Sequence, residues 1–158
     1  MIHTHASSRG FTLLIAVVLT SVLLSVALAL LDITYKQVVL SSVARQSQYA
    51  FYAADSAMEC ALYWDQQRNA FSYLGVIPGN SIQCSGTNIS LTSSVSGGIR
   101  TTTFSTPCAD GLTASITIEK TNGTACSGTA TSCLYASGYN SCNSGDLRRV
   151  ERGLKVFY

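Results

Sequence analysis

FTLLIAVVLTSVLLSVALALL, residues 11–31, is a run of 21 residues without one charged side chain. At ~1.5 Å rise per residue, a helix of that length crosses roughly the ~30 Å hydrocarbon core of a bilayer. A helix buried in a soluble core usually stops at about 10 to 14 apolar residues, and nothing downstream is apolar enough to wrap this one. The stretch therefore predicts a membrane-spanning helix, assigned to residues 11–33. Thr12, Thr20, Ser21 and Ser25 are compatible with it, because a hydroxyl bonds back to a carbonyl one turn earlier or to a neighbouring helix. Arg9, with His3 and His5 nearby, precedes the run. The positive-inside rule then leaves residues 1–10 in the cytoplasm and the remainder outside, in a single pass of the membrane. A cleaved secretory signal has a shorter apolar core and a small-residue cleavage site, whereas this run passes straight into helical sequence.

No Gly or Pro occurs from Phe11 to Leu74, although Gly10 and Gly75 bracket the interval. Nothing there breaks a helix, so one continuous helix is expected from about residue 11 to about residue 65. Its second half, residues 34–65, places Leu40, Ala44, Phe51, Ala54, Met58, Ala61 and Leu62 at spacings of three, four and seven, which form an apolar stripe. Lys36, Gln37, Arg45, Gln46, Gln48, Asp55 and Glu59 form the polar face.

From residue 66 the pattern changes to short β-prone runs separated by turn signals. The runs are 89–95 (ISLTSSV), 99–104 (IRTTTF), 112–120 (LTASITIEK), 134–139 (LYASGY) and 148–158 (RRVERGLKVFY). In the third, Leu112, Ala114, Ile116 and Ile118 point one way, and Thr113, Ser115, Thr117 and Glu119 the other, so one sheet face is buried. Turns are offered by Pro78-Gly79-Asn80, Gly97-Gly98, Asp110-Gly111, Asn122-Gly123 and Ser144-Gly145-Asp146. The amphipathic helix is the natural cover for that sheet, and the prediction is an α+β protein with a small antiparallel head over residues 66–158.

Of the 158 residues, 47% are hydrophobic and only 11% charged, against roughly 25% charged in soluble proteins. The net charge of +2 is too small to imply a surface that tracks phosphates. Six cysteines, Cys60, Cys84, Cys108, Cys126, Cys133 and Cys142, form an even set in a Ser/Thr/Gly/Asn-rich region. That set favours disulfides in an oxidising compartment, with connectivity left open among fifteen pairings. Metal binding would want Cys-x-x-Cys pairs with His support, and the tightest gap here leaves six residues between Cys126 and Cys133. No metal or cofactor is expected.

Arg9-Gly10-Phe11-Thr12-Leu13-Leu14 and the apolar run behind it resemble a type IV prepilin leader and mature pilin N-terminus. The resemblance implies recognition by a prepilin peptidase, cleavage between Gly10 and Phe11, and N-methylation of Phe11. It also implies partners: other pilins or pseudopilins through the N-terminal helix, the pilus assembly platform, and membrane lipid before assembly. Residues 50–65 (AFYAADSAMECALYWD) are similar to the segment that follows the membrane helix in PilX-type minor pilins. There the resemblance suggests that Asp55 and Glu59 are neutralised by the head or by the next subunit. Gly138-Tyr139 and residues 148–152 look like the closing strands of such heads. The destination implied is an extracellular or periplasmic filament.

One position departs from the family. Most major pilins carry glutamate at the fifth mature position, where it is thought to pair with a neighbour's free N-terminal amine; here Ile15 stands there. Phe11 N cannot receive that partner from a copy of this chain, which suits a minor subunit at or near the tip rather than the repeated shaft subunit. The function expected is that of a minor type IV pilin, with a type II secretion minor pseudopilin as the alternative.

Catalysis is not expected. Both histidines lie in the leader, so the processed chain has no imidazole for a Ser-His-Asp or Cys-His site. No Gly-rich phosphate loop is present, and Asp110, Glu119, Asp146 and Glu151 have no recognisable catalytic spacing. The rival of a different class is an extracellular DNA- or surface-binding module. Arg148, Arg149 and Arg152, with Lys155, Phe157 and Tyr158, supply its candidate anionic contact. The plainer reading of that segment is an edge strand protected by its charges.

Overall fold

The computed structural model describes residues 9–75, 80–123 and 125–158, with side chains from residue 11 onward. The leader residues 1–8, including His3 and His5, and the Pro78-Gly79 part of the first turn lie outside the described residues. The chain divides into two compact units, Met1–Val43 and Ala44–Tyr158.

One helix, α1, runs Arg9–Arg68. Its length follows from the missing Gly and Pro, and its end from Asn69, which adopts a left-handed φ of 49°. Asn is among the residues that tolerate that conformation. The turn lets Asn69 N donate to the Asp65 carbonyl at 3.0 Å and Ala70 N to the Trp64 carbonyl at 3.0 Å, which satisfies carbonyls that a helix end would otherwise orphan.

Within Ala44–Tyr158, the described residues form seven strands: β1 (Ser81–Cys84), β2 (Thr87–Ser90), β3 (Thr92–Ser96), β4 (Ile99–Ser105), β5 (Thr113–Thr121), β6 (Ser132–Tyr139) and β7 (Glu151–Phe157). The first two form a separate hairpin, and the other five a sheet in sequential order β3-β4-β5-β6-β7. Every pairing is antiparallel. The protein is thus α+β, as its sequence implies. The tight turns are glycine-dependent: Gly97 and Gly98 join β3 to β4 with φ of 58° and 79°, the paired positive values that a two-residue hairpin of matching twist requires.

Beyond shifts of one or two residues at the ends of β4, β5 and β6, the strands differ from the sequence pattern in three places. The run at 89–95 is divided at Leu91, which is buried and donates its N–H to the Asn80 carbonyl at 2.7 Å. β1, reading SIQC, is too short to show alternation, and Ser85-Gly86 turns it into β2 with both φ values positive. The last run begins as a strand at Glu151 rather than at Arg148, because Asn140 and Asp146 tie the preceding residues into a turn.

The core sits between α1 and the face of the five-stranded sheet that carries Ala114, Ile116, Ile118, Leu134 and Ala136. From the helix come Ala50, Ala54, Ala57, Met58 and Ala61, all buried. Four of these are alanines spaced four, three and four apart, so a narrow seam of small side chains brings the helix axis close to the sheet. The expected stripe is corrected accordingly: Leu40, Ala44 and Phe51 are exposed, and burial begins only at Gln46 and Ser47. Phe71, just past the helix, stacks on Phe104 of β4 with ring centroids 6.3 Å apart. The cysteines pair as Cys60–Cys84, Cys108–Cys142 and Cys126–Cys133. The first joins α1 to β1, so the small hairpin is fastened covalently to the helix.

Candidate functional site

The feature most in need of a function is the surface of α1 over residues 11–45, where every residue is exposed. Phe11, Leu13, Leu23, Leu31 and Leu40 each leave about two thirds or more of their surface open. A contiguous apolar surface of this size marks contact with lipid or with protein. Three hydroxyls of the uncharged run and one just beyond it are satisfied within the helix. Thr20 Oγ1 donates to the Ala16 carbonyl at 2.9 Å, Ser21 Oγ to Val18 at 2.8 Å, Ser25 Oγ to Val22 at 2.8 Å and Thr34 Oγ1 to Leu30 at 2.7 Å. Each bond returns a hydroxyl to the helix's own backbone, so none presents an unsatisfied donor to an apolar neighbour. The first charges of the helix beyond residue 10 are Asp32 and Lys36, which pair with each other at 2.7 Å, one turn apart and immediately past the uncharged run. This helix is long and apolar enough to cross a membrane.

Gly10 belongs to the first turn of α1, and Phe11 and Ile15 contribute only apolar surface, exposed to 68% and 41% respectively. Asp55 and Glu59 make no ion pair among the described residues, so neutralisation by the head is not seen.

The three arginines singled out by sequence do not converge. Arg152 Nε donates to Ser47 Oγ of α1 at 2.6 Å. Arg149 lies over the Tyr139 ring, 3.7 Å from its centroid. Arg148 precedes β7, its N–H bonded to Asp146 Oδ1 at 2.9 Å and its carbonyl accepting from Asn140 Nδ2 at 3.2 Å. That backbone hydrogen bond, more than any neighbouring charge, holds the exposed Asp146 carboxyl below its ordinary range. Two of the three guanidinium groups are therefore engaged inside the unit.

A polar cluster that the sequence pattern does not mark lies at the other end of the helix. Asp65, 6% exposed, accepts through Oδ2 from Lys120 Nζ of β5 at 2.6 Å and from the Tyr158 hydroxyl. Lys120 Nζ also donates to Ser132 Oγ at 2.7 Å and sits 5.1 Å from the Tyr158 ring centroid. Desolvation, reinforced by the hydrogen bond to Asp65, pushes the Tyr158 phenol well above its ordinary range. Tyr158 N and O both bond to Ser132, at 3.0 and 2.9 Å. The cluster thus clasps the helix end, the sheet centre and the last strand together.

A groove of about 340 Å³ opens between residues 52–57 of α1, the β1–β2 hairpin and the 106–113 loop. Ala53, Ala57, Ile89 and Leu112 supply apolar wall, and Asp110 is the charged residue of its lining. Among the described residues no group of three His, Cys, Asp or Glu side chains is placed to hold a metal ion.

No family model matches this chain, nor does any curated protein or solved structure.

Proposed function

We propose that this protein is a minor type IV pilin, stored in the inner membrane through the apolar half of α1 and then drawn into a filament among the equivalent helices of other subunits. The observation that carries this reading is the uncharged, fully exposed apolar run of residues 11–31, which follows directly on the Arg9-Gly10 leader motif. Lipid covers such a surface before assembly and neighbouring helices cover it afterwards, since helices whose hydroxyls are already satisfied pack by close contact of apolar side chains. Processing by a prepilin peptidase after Gly10 would free Phe11 to leave the bilayer.

Ile15 gives the subunit its place. A free Phe11 amine inside an apolar bundle needs a carboxylate, because an unpaired charge there is costly. No copy of this chain offers one at position 15, so the neighbour must, and a subunit with no copy of itself above it fits the tip. Sheared filaments from cells making an epitope-tagged protein test this. Few copies per filament, with filament number falling on deletion of the gene, are expected; abundant incorporation along the shaft would contradict the minor role.

A further inference from the structure

The sheet face turned away from α1 is built from hydroxyl groups. Thr101, Thr103 and Ser105 of β4, Ser115 and Thr117 of β5, and Ser137 of β6 alternate with the buried side chains, and so point to the far side of the sheet. The register sets Thr103 opposite Thr117, Ser105 opposite Ser115, and Ser115 opposite Ser137. With strands ~4.8 Å apart and alternate residues ~6.7 Å apart along each strand, these groups form a two-dimensional grid. Two hydroxyls that border the grid are spent within the protein: Thr113 Oγ1 bonds the Thr106 carbonyl at 2.9 Å, and Thr102 Oγ1 bonds Ser93 Oγ at 3.2 Å. The six on the grid make no hydrogen bond to the protein among the described residues, nor are they buried without a partner.

We propose that this face binds a neutral polysaccharide. A hydroxyl is at once a donor and a double acceptor, so an ordered grid of them matches a polymer whose own edges carry hydroxyls that donate and accept. Charge argues the same way. Across β4 to β7 the outward positions hold Glu119, Glu151 and Lys155, with Lys155 over the Tyr135 ring and Arg149 over the Tyr139 ring at the β7 edge, a sparse and balanced set that favours neither a polyanion nor a polycation. At the rim, Phe157 of β7 is 45% exposed and meets Tyr135 edge-to-face at 5.8 Å, an apolar step against which a sugar ring can rest while its hydroxyls reach the grid. Each contact is weak, and affinity comes from many of them engaging one chain at once. The inference stands on the sheet face and is independent of the fate of Phe11.

The test uses the full chain in detergent micelles, incubated with suspended microcrystalline cellulose, with chitin, and with immobilised dextran sulfate. Retention on at least one neutral polymer, and none above a blank matrix on dextran sulfate, is expected. Thr103→Val with Thr117→Val keeps the branched shape and removes two central hydroxyls. It should lower retention about tenfold through lost multivalency, with an unchanged circular-dichroism spectrum. Ser115→Ala with Ser137→Ala provides a second, independent pair with the same expectation. Absence of retention on both neutral polymers overturns the proposal. So does equal retention of parent and both folded variants, and so does preferential retention on dextran sulfate, which would assign the face to a polyanion.

Discussion

Gly138 of β6 lies so close beneath Ala50 of α1 that any side-chain carbon at position 138 would overlap the Ala50 carbonyl oxygen and crowd the backbone of Ala54, whose Cα would be 3.0 Å away. The helix and the sheet meet here backbone to backbone. Neither partner can yield by rotating a side chain, so the site is intolerant of even one methyl group.

Gly138→Ala is accordingly expected to destabilise the unit by about 3 kcal/mol or more, the upper end of overpacking costs. Gly153→Ala is the control: the added carbon would meet only the Ala136 carbonyl, at an ordinary 3.6 Å, and a change within about 1 kcal/mol is expected. Chemical denaturation of the two variants, compared at equal denaturant slope, checks the difference.

Asp65 and Lys120 should show the asymmetry of a buried ion pair. Lys120→Met leaves the Asp65 carboxylate, whose side chain is 2% exposed, without its cation and should cost about 3 kcal/mol or more. Adding Asp65→Asn to that variant removes the stranded charge and should restore part of the loss. A double-mutant cycle reads the coupling directly; additive effects would show that the pair contributes no specific interaction.

The Tyr158 hydroxyl predicts an alkaline effect. In the folded protein its pKa lies above that of the free phenol, with desolvation the larger cause and the Asp65 hydrogen bond the next. The folded protein therefore favours the neutral phenol. The contribution is complete below about pH 10, where the unfolded phenol titrates, and is lost as pH rises above that value toward the folded one. Tyr158→Phe should cost roughly 1 kcal/mol at neutral pH and should flatten the decline in stability above about pH 10. Thermal melts of parent and variant from pH 8 to about pH 11 measure both.

The disulfides differ in the loops they close. Cys60–Cys84 spans 24 residues and Cys126–Cys133 only 7, so chain entropy gives the first about 3.5 kcal/mol and the second about 2.5 kcal/mol. Replacing Cys60 and Cys84 by Ser should also free the β1–β2 hairpin from the helix. Limited proteolysis is expected to cut first near that hairpin in the variant and not in the parent.

How far the sequence discloses this architecture depends on what each residue contributes. The helix was legible because its signal is an absence, of Gly and Pro, that holds across the whole interval. β4, β5 and β6 were legible because Phe104, Ile116, Ile118 and Leu134 are large and alternate with hydroxyls. The seam was half legible: Ala54, Met58 and Ala61 fall on the apolar stripe, whereas Ala50 and Ala57 are small residues whose burial depends on how near Gly138 lets the sheet approach. Large side chains such as Leu40 and Phe51 drew the pattern toward a face that is exposed. The Asp65 cluster joins residues 55 and 93 positions apart in the chain, a distance that no local pattern can register. The six cysteines announced disulfides without announcing partners, which only the fold assigns.

Whether α1 is a pilin helix released by cutting behind Gly10 is read from the intact mass of the protein purified from cells that possess a prepilin peptidase. A chain beginning at Phe11, heavier by one methyl group on its amine and six hydrogens lighter for three disulfides, is expected. A chain that still carries residues 1–10 in those cells would contradict it.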